Sequence, residues 1–176
     1  MTALELLHGV DHLPIVKTLL WRDETATEEF ARALAAVPEL RLAYIELQGD
    51  LGAGKTTLVR HLLRALGVRG RIKSPTYAVV EPYELPGLHV WHFDFYRFSD
   101  PREWADAGFR DIFASSGLKL AEWPEKAAGC VPLADLVVRL EVDDDASRRV
   151  SLTAQTTLGA NLLQHLEASV LDKVGP

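Results

Sequence analysis

The sequence predicts an α/β fold, a three-layer sandwich in which a central, mostly parallel or mixed sheet is flanked by helices. Three observations carry that expectation. Several apolar runs are nearly continuous rather than alternating, as in strands covered on both faces. Stretches with helical spacing fall between and around those runs. One run ends in a glycine-rich turn that opens directly into a helical stretch, the strand–turn–helix unit on which open α/β sheets are built.

Taken in order, residues 1–21 form an extra N-terminal segment without a motif, which either extends the sheet or frays. Glu5, His8, Asp11 and His12 interrupt its apolar residues, so neither a signal peptide nor a membrane span is expected. Thr25-Ala26-Thr27-Glu28 has capping-box spacing, and the stripe Phe30, Ala33, Leu34 and Val37 predicts a helix from about 25 to 37. Leu40 to Gln48 is almost continuously apolar and predicts a buried strand. Leu58, Leu62 and Ala65 then recur at helical spacing up to Gly67, a residue suited to a left-handed cap. Runs at Leu88 to Phe95, Leu118 to Trp123, Leu136 to Val142 and Val150 to Ala154 predict further strands, with a helical patch around Pro101 to Ala107. Glu141 to Asp145 is an acidic patch that reads as a strand end and turn. Leu158, Leu162, Leu163 and Leu166 predict a C-terminal helix over 157–176. No repeat, low-complexity tract or linker divides the chain, so one domain spanning 1–176 is expected.

Composition narrows the function classes. A chain of 176 residues can bury a substantial core without metal or disulfide. Its single cysteine, Cys130, has no internal bridging partner and no companions for zinc, which fits a reducing, cytoplasmic setting. The net charge of -6 argues against nucleic-acid binding by the surface as a whole. Between Leu51 and Val80, however, there is no acidic residue, while Lys55, Arg60, Arg64, Arg69, Arg71 and Lys73 all fall there. Part of that field suits a phosphate ligand, and the 60–73 stretch is either a solvated helix face or a surface for RNA or an acidic partner.

The glycine-rich turn is the most specific signal. Gly49-Asp50-Leu51-Gly52-Ala53-Gly54-Lys55-Thr56-Thr57 satisfies every position of the G-x-x-x-x-G-K-[ST] phosphate-binding loop, with the expected strand before it and helix after it. The glycines let successive N–H groups curl toward phosphate oxygens, at the positive end of the helix dipole. Lys55 supplies a point charge for the β- and γ-phosphates, and the Thr56 hydroxyl a ligand for Mg²⁺. The fold expected is therefore P-loop NTPase-like, and the ligand a Mg²⁺-bound nucleotide, which the resemblance described below implies is ATP or ADP.

Two carboxylates at strand ends are candidates to complete such a site. Val90-Trp91-His92-Phe93-Asp94 delivers Asp94 to a C-terminal edge, where open α/β sheets bind ligands, placed to hold the metal through its inner or outer shell, although a turn cap would use the same residue. His92 shares a strand face with Asp94 and reads as a hydrogen-bonding core residue or, less simply, a metal ligand. Leu118 to Glu122 ends a further strand before Pro124, and Glu122 could complete a metal shell, polarise water, or face a surface lysine. Lys73-Ser74-Pro75-Thr76-Tyr77 places two hydroxyls around a proline, as in a loop that senses a γ-phosphate or in an ordinary turn.

The phosphate-binding loop, Lys73 to Tyr77, His92-Phe93-Asp94-Phe95-Tyr96-Arg97 with Asp100-Pro101, and Glu122-Trp123-Pro124 occur in one order. That ordered set resembles the bacterial TsaE (YjeE) family over about Asp23 to Thr153. The resemblance implies the ATPase subunit of tRNA threonylcarbamoyladenosine biosynthesis, weak alone and acting with the partner proteins TsaB and TsaD. Their assembly would modify adenosine 37 of tRNAs that read codons beginning with A. By position it implies phosphate contacts from Lys55, Mg²⁺ contacts from Thr56 and Glu122, the Walker B function from Asp94 and a switch hydroxyl from Thr76. It further implies adenine contacts around Glu24 and at Arg148, whose alternative is a surface ion pair with Asp143 to Asp145. Two other readings remain on the residues alone. A small P-loop kinase would need an arginine-bearing lid, and Arg102, Arg110, Arg148 and Arg149 are scattered. A nucleotide-gated adaptor would use hydrolysis only as a reset.

Overall fold

A computed structural model of the chain describes residues 14–169. In chain order the elements are β1 (Ile15–Trp21), α1 (Glu24–Ala35), a 3₁₀ turn (Pro38–Leu42), β2 (Tyr44–Gln48), α2 (Lys55–Ala65), β3 (Val80–Leu85) and β4 (Leu88–Asp94). They continue with α3 (Pro101–Asp106), α4 (Phe109–Ala114), β5 (Leu118–Glu122), a second 3₁₀ turn (Pro124–Ala127), β6 (Leu136–Val142), β7 (Arg148–Ala154) and α5 (Thr157–Ser169). The strands form one seven-stranded sheet in the order β1-β7-β6-β2-β5-β4-β3.

The sheet is mixed in a regular way. β6, β2, β5 and β4 are mutually parallel and make its centre, whereas β7 and β1 extend one side antiparallel and β3 closes the other. The central strands are the continuous apolar runs of the sequence, because helices cover both of their faces. Side chains on β2 and β5 divide accordingly. Ile45, Leu47, Leu118 and Leu120 enter an aliphatic core with Phe30 and Leu34 of α1, Leu58 and Leu62 of α2, and Leu162 and Leu166 of α5. Tyr44 and Ala121 point the other way, into an aromatic core built from Phe93, Phe95, Phe98, Trp104 and Phe109.

Differences from the sequence reading lie at element ends and sheet edges. The apolar run from Leu40 begins as a 3₁₀ turn, and the strand starts only at Tyr44; a short apolar run fits either geometry. α1 is capped by Asp23, whose side chain accepts from Ala26 N, rather than by the Thr25 capping box. Of the N-terminal segment, Ile15–Trp21 extends the sheet as an edge strand in register with Arg148–Ala154. The closing helix is described through Ser169, and residues 1–13 and 170–176 lie outside the described residues. Among the described residues no helix is long and apolar enough to cross a membrane.

Candidate nucleotide site

The parallel register brings the site together. Asp94 pairs with Glu122 across β4 and β5, and Glu122 pairs with Leu47 across β5 and β2. Two carboxylates and the start of the glycine-rich loop therefore occupy one C-terminal edge, the ligand edge of an open α/β sheet. The loop is shaped by its glycines at two points. A Cβ on Gly49 would lie 2.4 Å from the Leu140 carbonyl oxygen of β6, so only glycine allows that approach. Gly54, at φ 108, is the N-cap of α2 and brings no side-chain cap. The first amides of α2 are left for an external acceptor, where the helix dipole favours an anion.

Lys55 is almost fully buried at 4% exposure. Its Nζ donates to the Gly49 carbonyl and, at 2.9 Å, to the Asp50 carbonyl, and lies 4.1 Å from the centre of the Trp123 ring. Burial holds its ammonium below the ordinary lysine range, against the opposing pull of Glu122, Glu125, Asp94 and Asp50. Thr56 follows on the first turn of α2 and donates its hydroxyl to both Glu122 oxygens, at 3.0 and 2.9 Å. Glu122 Oε1 also lies 2.8 Å from Nε2 of the fully buried His92.

Asp94 sits beside Glu122 but takes different partners. Its Oδ2 accepts from the Ser74 hydroxyl and, at 3.0 Å, from Thr76 Oγ1, while Oδ1 accepts the Tyr96 amide at 2.9 Å. The Lys73 to Tyr77 segment is thus fastened to the strand end by hydroxyls, as a loop that responds to a ligand would be. These groups line a cavity of about 300 Å³ together with Leu51, Gly52 and Trp123.

A second cavity of about 120 Å³ adjoins it, sharing Gly54 and Thr57. Glu24, Thr27, Ala53, Leu140 and Arg148 line it, so the structure brings Glu24 and Arg148 to one place. Arg148 Nε donates to the Ala53 carbonyl at 3.1 Å, which ties it to the glycine-rich loop. The surface ion pair with Asp143 belongs to Arg149 instead, at 3.1 Å. Glu24 Oε1 is 2.8 Å from Nε2 of His61, a link between α1 and α2 that sequence reasoning missed. Of the basic stretch from Arg60 to Lys73, Arg64, Arg69, Arg71 and Lys73 are exposed.

A divalent cation can be weighed against this donor set. Among the described residues no group of three or more His, Cys, Asp or Glu is placed to hold a metal ion by itself. One hydroxyl beside a carboxylate, facing a phosphate cradle, suits Mg²⁺, which keeps several waters and takes phosphate oxygens as ligands. Zinc or calcium would need more protein donors.

Known proteins match this architecture. Residues 21–150 match the family model of the threonylcarbamoyl adenosine biosynthesis protein TsaE. The tRNA threonylcarbamoyladenosine biosynthesis protein TsaE of Haemophilus influenzae is 44% identical over 136 residues, covering 77% of this chain and 85% of its own. Its namesake in Bacillus subtilis is 32% identical over 145 residues, covering 79% of this chain and 87% of its own. The crystal structure of Bacillus subtilis YdiB superposes with a TM-score of 0.74 at 23% identity, over 89% of this chain and 97% of that one. The last likeness concerns the fold, which is P-loop NTPase-like. With the family model spanning from the end of β1 into β7, and so containing the whole glycine-rich loop, Asp94 and Glu122, the chain belongs to the TsaE family.

Proposed function

We propose that the protein is the Mg²⁺-dependent, ATP-hydrolysing subunit of tRNA threonylcarbamoyladenosine biosynthesis, working with TsaB and TsaD. The names of its relatives support the pathway, and one observation carries the chemistry. The Thr56 hydroxyl is hydrogen-bonded to Glu122 at the mouth of a glycine-rich loop that already encloses Lys55. That arrangement is a charge-matched seat for a triphosphate, with little to add for any other ligand class.

In this reading the loop amides and α2 N-terminus bind the β-phosphate, and Lys55 leaves the Gly49 and Asp50 carbonyls to reach the β- and γ-phosphates. Thr56 and Glu122 hold Mg²⁺, which supplies charge neutralisation at the phosphate oxygens when bound. Water adds to the γ-phosphorus while its bond to the β–γ bridging oxygen breaks, leaving ADP and phosphate. The proton lost by water passes to phosphate or to a strand-end carboxylate, and Asp94 and Glu122 are the two within the site. Trp123 and the Ser74–Thr76 loop limit water to that position. Adenine takes the smaller cavity between Glu24 and Arg148, with the guanidinium plane against the ring.

Hydrolysis by the isolated chain is expected to be slow, with stimulation by TsaB, TsaD and tRNA. Phosphate release measured with and without those proteins tests it; turnover of tens per second by the chain alone, the range of self-sufficient kinases, would sink the partner-dependent reading. Lys55→Ala should weaken ATP binding by about tenfold or more through lost charge-assisted hydrogen bonds, and wild-type affinity in calorimetry would count against its role. The adaptor reading draws support from the loop on Asp94. Glu122→Gln separates it, since an adaptor would still support one round of product with ATP bound.

A further inference from the structure

We infer that His92 is a positioning residue for Glu122, a buried imidazole that fixes which carboxylate oxygen faces the cation and phosphates. The inference rests on the nucleotide site proposed above and goes one layer beneath it. His92 lies on β4, opposite Leu120 of β5, on the same face of the strand as Asp94. It is 0% exposed, and its Nε2 sits 2.8 Å from Glu122 Oε1. Its other nitrogen, Nδ1, is buried without any hydrogen-bond partner.

That missing partner sets the tautomer. A neutral ring protonated at Nδ1 would bury an N–H with nothing to receive it. The ring protonated at Nε2 instead donates to a carboxylate and leaves only a lone pair unmet. His92 is therefore a one-sided donor aimed at Glu122.

The consequence for Glu122 is an asymmetry between its oxygens. Oε1 receives both His92 and the longer branch of the Thr56 bond, whereas Oε2 receives Thr56 alone at 2.9 Å. His92 anchors Oε1 toward the core and turns Oε2, with the Thr56 hydroxyl, toward the phosphate cavity. Hydrogen-bonding partners behind a ligating group fix its orientation, and removing them costs about 10–100-fold in metal affinity. Among the described residues the side chains hydrogen-bonded to Glu122 are Thr56 and His92, and of the two only Thr56 lines the cavity.

Asparagine and glutamine at this position distinguish positioning from packing. The Gln amide nitrogen reaches where Nε2 stands, whereas the Asn amide nitrogen stops near Nδ1 and cannot meet Glu122. The full chain and its His92→Asn and His92→Gln variants would be titrated with Mn²⁺ and ADP, reading bound metal by electron paramagnetic resonance and ADP affinity in EDTA by calorimetry. ADP binding in EDTA should be alike in all three, while His92→Asn should bind Mn²⁺ about tenfold or more weakly and His92→Gln should stay within about threefold of wild type. Wild-type metal affinity in His92→Asn, or equal loss in both variants, overturns the inference. ADP binding by the wild type with no metal dependence overturns the underlying site reading and this inference with it. Should His92→Asn not fold, nitrogen NMR of the labelled wild-type ring decides: Nε2–H with bare Nδ1 supports the inference, and protonated Nδ1 overturns it.

Discussion

Asp94 and Glu122 stand side by side in register on β4 and β5, both nearly buried, yet they are held by opposite kinds of neighbour. Glu122 is gripped from the core by His92 and from the first turn of α2 by Thr56, two rigid elements. Asp94 is gripped by Ser74 and Thr76, which belong to a loop. The loop is also tied to the strand by the Asp94 amide donating to the Val79 carbonyl at 2.9 Å. Val79 itself has φ 68, an uncommon state for a β-branched residue that a neighbouring contact must enforce. The difference teaches a division of support: Glu122 is held by a strand and a helix, and Asp94 by a loop, so under the function proposed above Glu122 would be preset for a ligand and Asp94 would follow the loop.

The largest effect should follow from Glu122→Gln. The amide keeps the shape but removes the charge facing Thr56, and partner-stimulated ATP hydrolysis should fall by about 100-fold or more while ATP still binds. Single-turnover phosphate release alongside binding calorimetry measures both. Hydrolysis within a few-fold of wild type would collapse the contrast by showing that Glu122 is not the preset group.

Asp94→Asn comes next. It weakens the grip on two hydroxyls, so the loss should appear as a looser loop and about a tenfold drop in stimulated turnover, with the Mg²⁺ dependence of binding kept. Hydrogen exchange over residues 74–79 should accelerate, because Asp94 accepts from the hydroxyls of both Ser74 and Thr76. If Asp94→Asn erased the Mg²⁺ dependence more than Glu122→Gln did, the two roles would have to be exchanged. Thr76→Val is the milder form of the same test. It removes one neutral hydroxyl worth about 1 kcal/mol and should slow stimulated turnover by about fivefold. Protection of the loop should drop less than in Asp94→Asn, because Ser74 still holds Oδ2.

How much of this contrast the sequence could reveal depends on what kind of neighbour is involved. The glycine-rich loop, with its strand and helix, is local in the chain and was fully legible. Asp94 and Glu122 were recognisable singly, as charges ending apolar runs. Their opposition was not, because the register of strands separated by α3 and α4 is a tertiary fact. His92 read as a core histidine, and only the diagonal across β4 and β5 makes it a partner of Glu122. The edges hid for a different reason. β3 carries Glu81, Pro82 and Glu84, a pattern that demotes a run to loop unless it borders the sheet, where a proline is tolerated. β1 is mostly exposed, so burial never imprinted a clear period on Ile15–Trp21.

A third carboxylate calibrates the other two. Glu46, on β2, accepts from the Tyr44 hydroxyl at 3.1 Å and from Gln48 at 3.3 Å and does not line the phosphate cavity. Burial raises its pKa above 4.5, and these two hydrogen bonds lower it only in part. The folded state thus binds this proton more tightly than the unfolded chain does. Stability from that preference is fully present below about pH 4.5 and is lost as pH rises through the folded-state pKa. At neutral pH the wild type has forfeited it, whereas a glutamine titrates nowhere and still offers an oxygen to Tyr44. Glu46→Gln should therefore raise the thermal midpoint near neutral pH by about 2 °C, the shift that about 1 kcal/mol or less produces in a chain of this size. The gap between variant and wild type should narrow as the pH falls toward 4.5. A gap independent of pH would mean that Glu46 is not strained by burial. Buried charge at this edge would then carry no general cost, and the elaborate grip on Glu122 and Asp94 would need another cause.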